Sequence, residues 1–157
     1  MRALLRKIRA TGRVAEPAPD HHAAGDDVLR GSVQVRHVDA GSCNGCEVEI
    51  GSAFGPVYDG ERYGARLVAS PRHADVLLVT GPVTRNMAEP LRKAYDATPA
   101  PKRVVAVGDC AHNCGVFAGG YGVEGAVSDV IPVDVVVRGC PPEPSQIIEA
   151  LRHLTGR

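Results

Sequence analysis

The chain has no tryptophan and only two phenylalanines in 157 residues. Its interior therefore cannot rest on large aromatic side chains and must be built from Val, Leu, Ile and Ala, as buried parallel strands usually are. An excess of one charge is also lacking, since eighteen Lys and Arg stand against eighteen Asp and Glu for a formal net charge of zero. A chain so balanced has no general attraction for a polyanion, and nucleic acid is set aside as a partner. No apolar run approaches the ~20 residues needed to cross a bilayer, and nothing resembles the apolar centre of a secretory signal, so a chain that stays inside the cell is expected. Five cysteines are an odd number, and three of them sit in glycine-flanked loops. That pattern excludes a disulfide framework and leaves thiols available to metal in a reducing compartment.

The length suits one domain with a core of its own. Residues 1–31 read as an arm and linker and residues 32–157 as the folded domain. Arg2, Arg6, Lys7, Arg9 and Arg13 surround Leu4, Leu5 and Ile8, whose spacing puts the three apolar side chains on one side of a short helix. Two readings stand side by side: a basic amphipathic segment against an anionic membrane surface or a partner, and a solvated terminus. Residues 14–30 are rich in Pro, Ala, Asp and His without periodicity and read as an extended linker, in which His21 and His22 are given no metal role.

From residue 32 the pattern alternates strands and helices. Val33, Val35, His37 and Val38 predict a first strand that stops before Gly41. Residues 47–58 predict a helix of modest quality, with Val48, Ile50 and Phe54 inward and Gly51, Gly55 and Pro56 weakening it. Residues 66–69 are a short strand candidate, and residues 75–80 form a continuous apolar run ended by Gly81-Pro82, as expected of a strand covered on both faces. Residues 84–97 predict a helix with Met87, Leu91, Ala94 and Tyr95 on one face and a kink or start near Pro90. Residues 103–107 are the next buried strand, residues 111–125 a Gly-rich loop without regular structure, and residues 133–137 the last strand. Ile147, Ile148, Leu151 and Leu154 form one stripe of a closing helix over residues 145–154, with Gly156 just past its end. Such alternation implies right-handed crossovers, an α/β class and a parallel sheet.

Three short stretches organise this pattern: Ser42-Cys43-Asn44-Gly45-Cys46-Glu47, Gly108-Asp109-Cys110-Ala111 and Gly139-Cys140-Pro141-Pro142. Each follows a Val-rich strand, and ligands of parallel sheets bind outside the carboxyl ends of the strands. Four thiolates meeting there call for a soft metal centre. By itself the Cys43-x-x-Cys46 pair fits half a zinc site or a redox-active dithiol equally well. Zinc modules bring two close pairs together, whereas here one pair and two single cysteines arrive from three strands, which favours an iron–sulfur cluster. The Cys140-Pro141 step, a familiar neighbour of cluster ligands, adds to that. A structural zinc domain and a dithiol oxidoreductase remain the alternatives.

Cys43-Asn44-Gly45-Cys46 with Glu49 three positions on, then residues 70–76 (Ser-Pro-Arg-His-Ala-Asp-Val), Gly81-Pro82-Val83-Thr84, Gly108-Asp109-Cys110 and residues 139–144 (Gly-Cys-Pro-Pro-Glu-Pro) carry a family resemblance. Over about residues 32–152 the chain resembles the small electron-transfer subunit shared by membrane-bound nickel–iron hydrogenases and respiratory complex I. The resemblance implies a flavodoxin-like parallel sheet with helices on both faces, holding one 4Fe–4S cluster on Cys43, Cys46, Cys110 and Cys140. It also implies a large nickel–iron (or complex I D-type) partner subunit, a ferredoxin-like iron–sulfur subunit, membrane-embedded antiporter-like subunits, and a peripheral place at the cytoplasmic face of the membrane. Complex I subunits of this type carry adjacent cysteines in the first motif, and hydrogenase small subunits carry Cys-x-x-Cys as here. The hydrogenase branch, of the energy-converting, formate hydrogenlyase type, is therefore favoured over a B-type subunit of a NADH-quinone oxidoreductase.

Among the remaining polar residues, Glu49 matches the family's acidic position and is a candidate for a proton path at the partner interface. Helix-dipole stabilisation alone would also place Glu47 and Glu49 near a helix start. Cys114 stands where the pattern more often reads Gly and is taken as a spare or buried thiol. His112 is a candidate for tuning the cluster or touching a partner. Arg72 and His73 stay unassigned, and His37 and His153 are read as structural or exposed.

Overall fold

The computed structural model describes residues 2–11, 29 and 31–156. The linker expected over residues 14–30, with His21 and His22, lies outside these apart from Leu29, which is buried in the core. The expected amino-terminal helix forms as α1, Arg2–Thr11, with Leu5 54% exposed.

Five strands make one parallel sheet: β1 Val33–Asp39, β2 Ala65–Leu67, β3 Val76–Thr80, β5 Arg103–Val107 and β7 Val135–Val137, in the order β2-β1-β3-β5-β7. Every neighbouring pair in it is parallel, with Asp39 opposite Thr80 and Thr80 opposite Val107, so the carboxyl ends of the three central strands lie level. Chain order reverses direction between β1 and β3, and a crevice opens there because successive connections leave to opposite sides. The α/β class and the parallel, doubly covered sheet are thus as expected.

Strand alternation splits the interior into two layers. Val33, Val35, Val76, Leu78, Val105 and Val107 face α2 (Gly45–Ala53) and α5 (Pro144–Thr155), meeting Ile50, Ala53, Ile147, Leu151 and Leu154. Leu77, Val79, Val104 and Ala106 face the other way, towards Ala88 and Leu91 of α3 (Arg85–Ala97) and Ala111 of α4 (Asp109–Asn113). Full burial of a Leu or Val side chain contributes about 1.5–3 kcal/mol, so these two layers fix the sheet on which the loops stand.

Several expectations are corrected. The first helix after the cysteine pair begins earlier and ends earlier than residues 47–58, because Asn44 turns the chain in the left-handed region (φ 71°) and Phe54 closes the helix. Its inward stripe is Cys46, Ile50 and Ala53, and Val48 points outward. In α3 the helix runs through Pro90, which is exposed there, and its buried residues are Ala88 and Leu91; Met87, Ala94 and Tyr95 are half-buried. Residues 111–125 are not an irregular loop. They hold the end of α4, a single 3₁₀ turn over Gly115–Phe117, and β6 Val123–Gly125, which pairs antiparallel with β4 Val83–Thr84. A cross-chain partner strand supplies order that the glycine content alone does not promise.

Candidate metal centre

At the end of β1, Asp39 Oδ1 accepts hydrogen bonds from the backbone N–H groups of Gly41 and Ser42, both at 2.8 Å. Ser42 Oγ accepts from Asn44 N–H at 3.1 Å. These Asx- and Ser-type turns stop the strand and fold the chain into α2 within five residues. Cys43 is left exposed in the turn, while Cys46 enters the buried stripe of α2. A Cβ on Gly81, after β3, would lie 2.4 Å from Ser42 N, so a glycine lets this second loop pass directly behind the cysteine turn.

Gly108, at the end of β5, has φ +93°, and a Cβ there would stand 2.6 Å from Cys46 Sγ. Its missing side chain is the space that the Cys46 thiol uses. Cys110 follows in the first turn of α4 and is buried. Cys140 stands exposed after β7, and its peptide bond to Pro141 is cis. The Cys110 and Cys140 loops are joined by Asp109, whose N–H donates to Gly139 O (2.9 Å) and whose Oδ1 accepts from Gly139 N–H (3.0 Å).

All four expected cysteines, Cys43, Cys46, Cys110 and Cys140, therefore line a single cavity of about 80 Å³ at the carboxyl ends of the strands. Burial, joined by Glu47 and the other three thiols, pushes Cys46 up from 9.0 to about 12. Burial, then Cys140 and Cys43, raises Cys110. Without a positive centre these groups stay neutral thiols, and a bound metal would have to supply the charge that turns them into thiolates. Among the described residues no three His, Cys, Asp or Glu side chains are placed to hold one metal ion together; the four thiols ring the cavity instead. That ring fits an iron–sulfur group, in which each cysteine binds its own iron. Sulfur donors, an apolar wall and a cradle that a Cβ at Gly108 would fill agree with it.

Cys114 does not line this cavity; it ends α4 in the left-handed region (φ 66°), and burial, then Asp129, raises its thiol. Glu49 is half-buried on α2 and likewise outside the cavity wall. His112 Nε2 lies 3.3 Å from Arg138 Nη2, beside the loop that carries Cys140. Arg72 and His73 are exposed in a 3₁₀ turn whose first N–H groups are capped by Ser70, and His153 is exposed on α5. His37 has a defined place: its Nε2 is 2.9 Å from Thr80 Oγ1 and 3.4 Å from Glu47 Oε1. Thr80 and Glu47 were missed as a pair. The alternation that turns Val33, Val35, Val76 and Leu78 towards α2 also turns His37 and Thr80 there, and that signal was legible.

Residues 43–154 match the family described as NADH ubiquinone oxidoreductase, 20 Kd subunit. A probable membrane-bound hydrogenase subunit, MbhJ, of Pyrococcus furiosus is 50% identical over 117 residues, covering 74% of this chain and 70% of the relative. Formate hydrogenlyase subunit 7 of Escherichia coli is 45% identical over 117 residues, 74% of this chain and 46% of that longer protein. A chain in the structure of the membrane-bound sulfane sulfur reductase, an archaeal respiratory membrane complex, superposes with a TM-score of 0.69 at 32% identity, over 78% of this chain and 68% of that one. Relatives of this chain are subunits of multisubunit oxidoreductase complexes, and the family binds an iron–sulfur cluster. By sequence and fold alike, the chain belongs to the 20 Kd subunit family of NADH ubiquinone oxidoreductase, the family that its hydrogenase relatives share.

Proposed function

We propose that this chain is the electron-transfer subunit of a membrane-associated nickel–iron hydrogenase complex of the formate hydrogenlyase type. In this reading it holds one 4Fe–4S cluster on Cys43, Cys46, Cys110 and Cys140 beside the catalytic subunit. One observation carries the reading: three loops from separate strands bring four thiols, and only four, around one apolar cavity. When bound, the cluster supplies one-electron redox chemistry. The chain's own contribution is to hold and shield. Cys46 and Cys110 would hold the cluster from the buried side and Cys43 and Cys140 from the exposed rim, with an apolar wall around the inner pair.

Further support comes from the surface. Val48 and Val57 (86% exposed) follow the first cysteine pair, and Val116 and Tyr121 (89% exposed) follow Cys110. Apolar side chains left open in the segments that follow these cysteines suit a subunit covered by partners. Those partners would be a large nickel–iron subunit, a ferredoxin-like iron–sulfur subunit and membrane-embedded antiporter-like subunits at the cytoplasmic face. No helix among the described residues is long and apolar enough to cross a membrane, so in this reading membrane attachment comes through partners or through α1. A second reading, a B-type subunit of a NADH-quinone oxidoreductase, is favoured by the family match itself; the Cys43-x-x-Cys46 spacing favours the hydrogenase branch.

The test is anaerobic purification of the complex through this chain, with iron, sulfide and nickel measured and the reduced state examined by electron paramagnetic resonance. Four irons per chain with nickel in the complex is expected. Serine at Cys43, Cys46, Cys110 or Cys140 should lower the iron content and the signal, and Cys114→Ser should leave both. Zinc in place of iron overturns the reading, and quinone reductase activity without nickel moves it to the second branch.

A further inference from the structure

Beneath the cavity, outside its wall, lies a buried polar group that holding a cluster does not by itself require. Thr80, the last residue of β3, is fully buried and donates its hydroxyl to Glu47 Oε1. With that proton committed, Thr80 Oγ1 accepts from His37, so the 2.9 Å contact is a donation from His37 Nε2–H. The three side chains form one closed cluster that joins two central strands to the residue next to Cys46: His37 donates to Thr80, Thr80 donates to Glu47, and His37 Nε2 also stands 3.4 Å from Glu47 Oε1.

Resting on the cluster reading above, we infer that Glu47 is a positioning residue for the ligand Cys46, and that Thr80 and His37 act through it. Three features of the structure require such an anchor. First, the N-cap residue of α2, Asn44, makes no side-chain cap bond, so the first turn lacks that local fixing and is closed by backbone bonding alone. Second, Glu47 Oε2 is buried without a hydrogen-bond partner, so the carboxylate is held through Oε1 alone, by the Thr80 hydroxyl and by His37 Nε2 at 3.4 Å. Third, Cys46 Sγ has little room to move, because it occupies the space that a Cβ at Gly108 would fill. A slack first turn would carry that sulfur towards or away from the Cys110 loop. Strands β1 and β3 hold Val35, Val76 and Leu78 fully buried, so His37 and Thr80 stand on strands anchored in the core. None of the three residues lines the cavity, and their effect passes through the backbone between Glu47 and Cys46.

The experiment uses the assembled complex with Thr80→Val, which keeps the shape and removes the hydroxyl, and Thr80→Ser, which keeps the hydroxyl. Iron per chain, the line shape of the reduced cluster and its midpoint potential are read. Thr80→Val is expected to retain its iron but to give a broadened signal and a displaced potential, with Thr80→Ser restoring both. A Thr80→Val complex with the wild-type signal and potential overturns the inference, and so does a Thr80→Ser complex as disturbed as Thr80→Val. Should Thr80→Val fail to assemble, Glu47→Met removes the acceptor at similar length, and an unshifted potential there is equally decisive. A wild-type complex without a cluster overturns the functional reading itself, whereas a normal wild-type cluster with unmoved variants overturns only the role of Glu47.

Discussion

Asp109 and Gly139 are bonded in both directions: Asp109 N–H donates to Gly139 O at 2.9 Å, and Asp109 Oδ1 accepts from Gly139 N–H at 3.0 Å. The two single cysteines, Cys110 and Cys140, are the next residues along each loop, so this pair sets the gap between them. Gly139 has φ +137°, and a Cβ there would come within 2.6 Å of Pro142 Cα, so the loop has no alternative residue at the joint.

Replacing Asp109 by Ala should therefore separate the Cys140 loop without unfolding the sheet. A hydrogen bond to a charged acceptor contributes about 1.5–3 kcal/mol, and its loss falls on the loop alone. Iron per chain should drop while the circular dichroism spectrum stays as in wild type. Full iron retention would show that the cysteine loops hold their spacing without Asp109.

Gly108 and Gly119 offer a matched comparison. Both have positive φ, +93° and +76°, but a Cβ at Gly108 meets Cys46 Sγ at 2.6 Å and one at Gly119 meets nothing within 4 Å. Gly119→Ala should cost about 1 kcal/mol of backbone strain and keep its iron, because only conformation is penalised. Gly108→Ala adds a clash with the thiol and should lose most of the cluster. Equal iron contents in the two variants would show that the clash relaxes without cost.

The metal-free chain should become less stable in alkali. Its Cys46 is pushed from 9.0 to about 12 by burial first and then by Glu47 and the neighbouring thiols. The fold keeps this proton more tightly than the unfolded chain does, so the stability it contributes is fully present below about pH 9. As pH rises further the unfolded chain ionises first, and that stability is lost progressively until the folded thiol also titrates near 12. The denaturant midpoint should fall over this window, and less steeply in Cys46→Ala. Identical slopes would assign the fall to other groups.

The amino-terminal helix α1 presents Leu5 to solvent among basic residues. On an anionic membrane surface each basic residue contributes about 1 kcal/mol, an attachment that salt weakens. Deleting residues 1–13 should leave the iron content intact and release the assembled complex from membranes at lower salt. Equal retention of both forms across a salt titration would make the arm a solvated tail.

Much of this architecture was legible because its signals are local. Val-rich runs at residues 75–80 and 103–107, each closed by glycine, mark buried strands whatever surrounds them, and the stripe Ile147, Ile148, Leu151 and Leu154 marks α5 in the same way. Since the cysteines directly follow such runs, their gathering at one end of a parallel sheet followed from connectivity alone. Contacts between distant segments were not legible. The pairing of Val123–Gly125 with Val83–Thr84 ordered a stretch that composition marks as loose. The inward face of α2 was settled by which side met the sheet, turning Cys46 in and Val48 out. Of two carboxylates two residues apart, Glu47 reaches Thr80 and His37 because alternation in β1 and β3 aims those side chains at the first turn of α2. By itself the sequence determined the order of strands and helices and the loops that carry the thiols, because periodicity and glycine punctuation act within a few residues. Only the tertiary structure decided why Gly108 has no side chain, how Asp109 joins two loops and which acid stands braced behind Cys46, because each depends on atoms that come within about 3 Å only once the sheet has brought separate segments together.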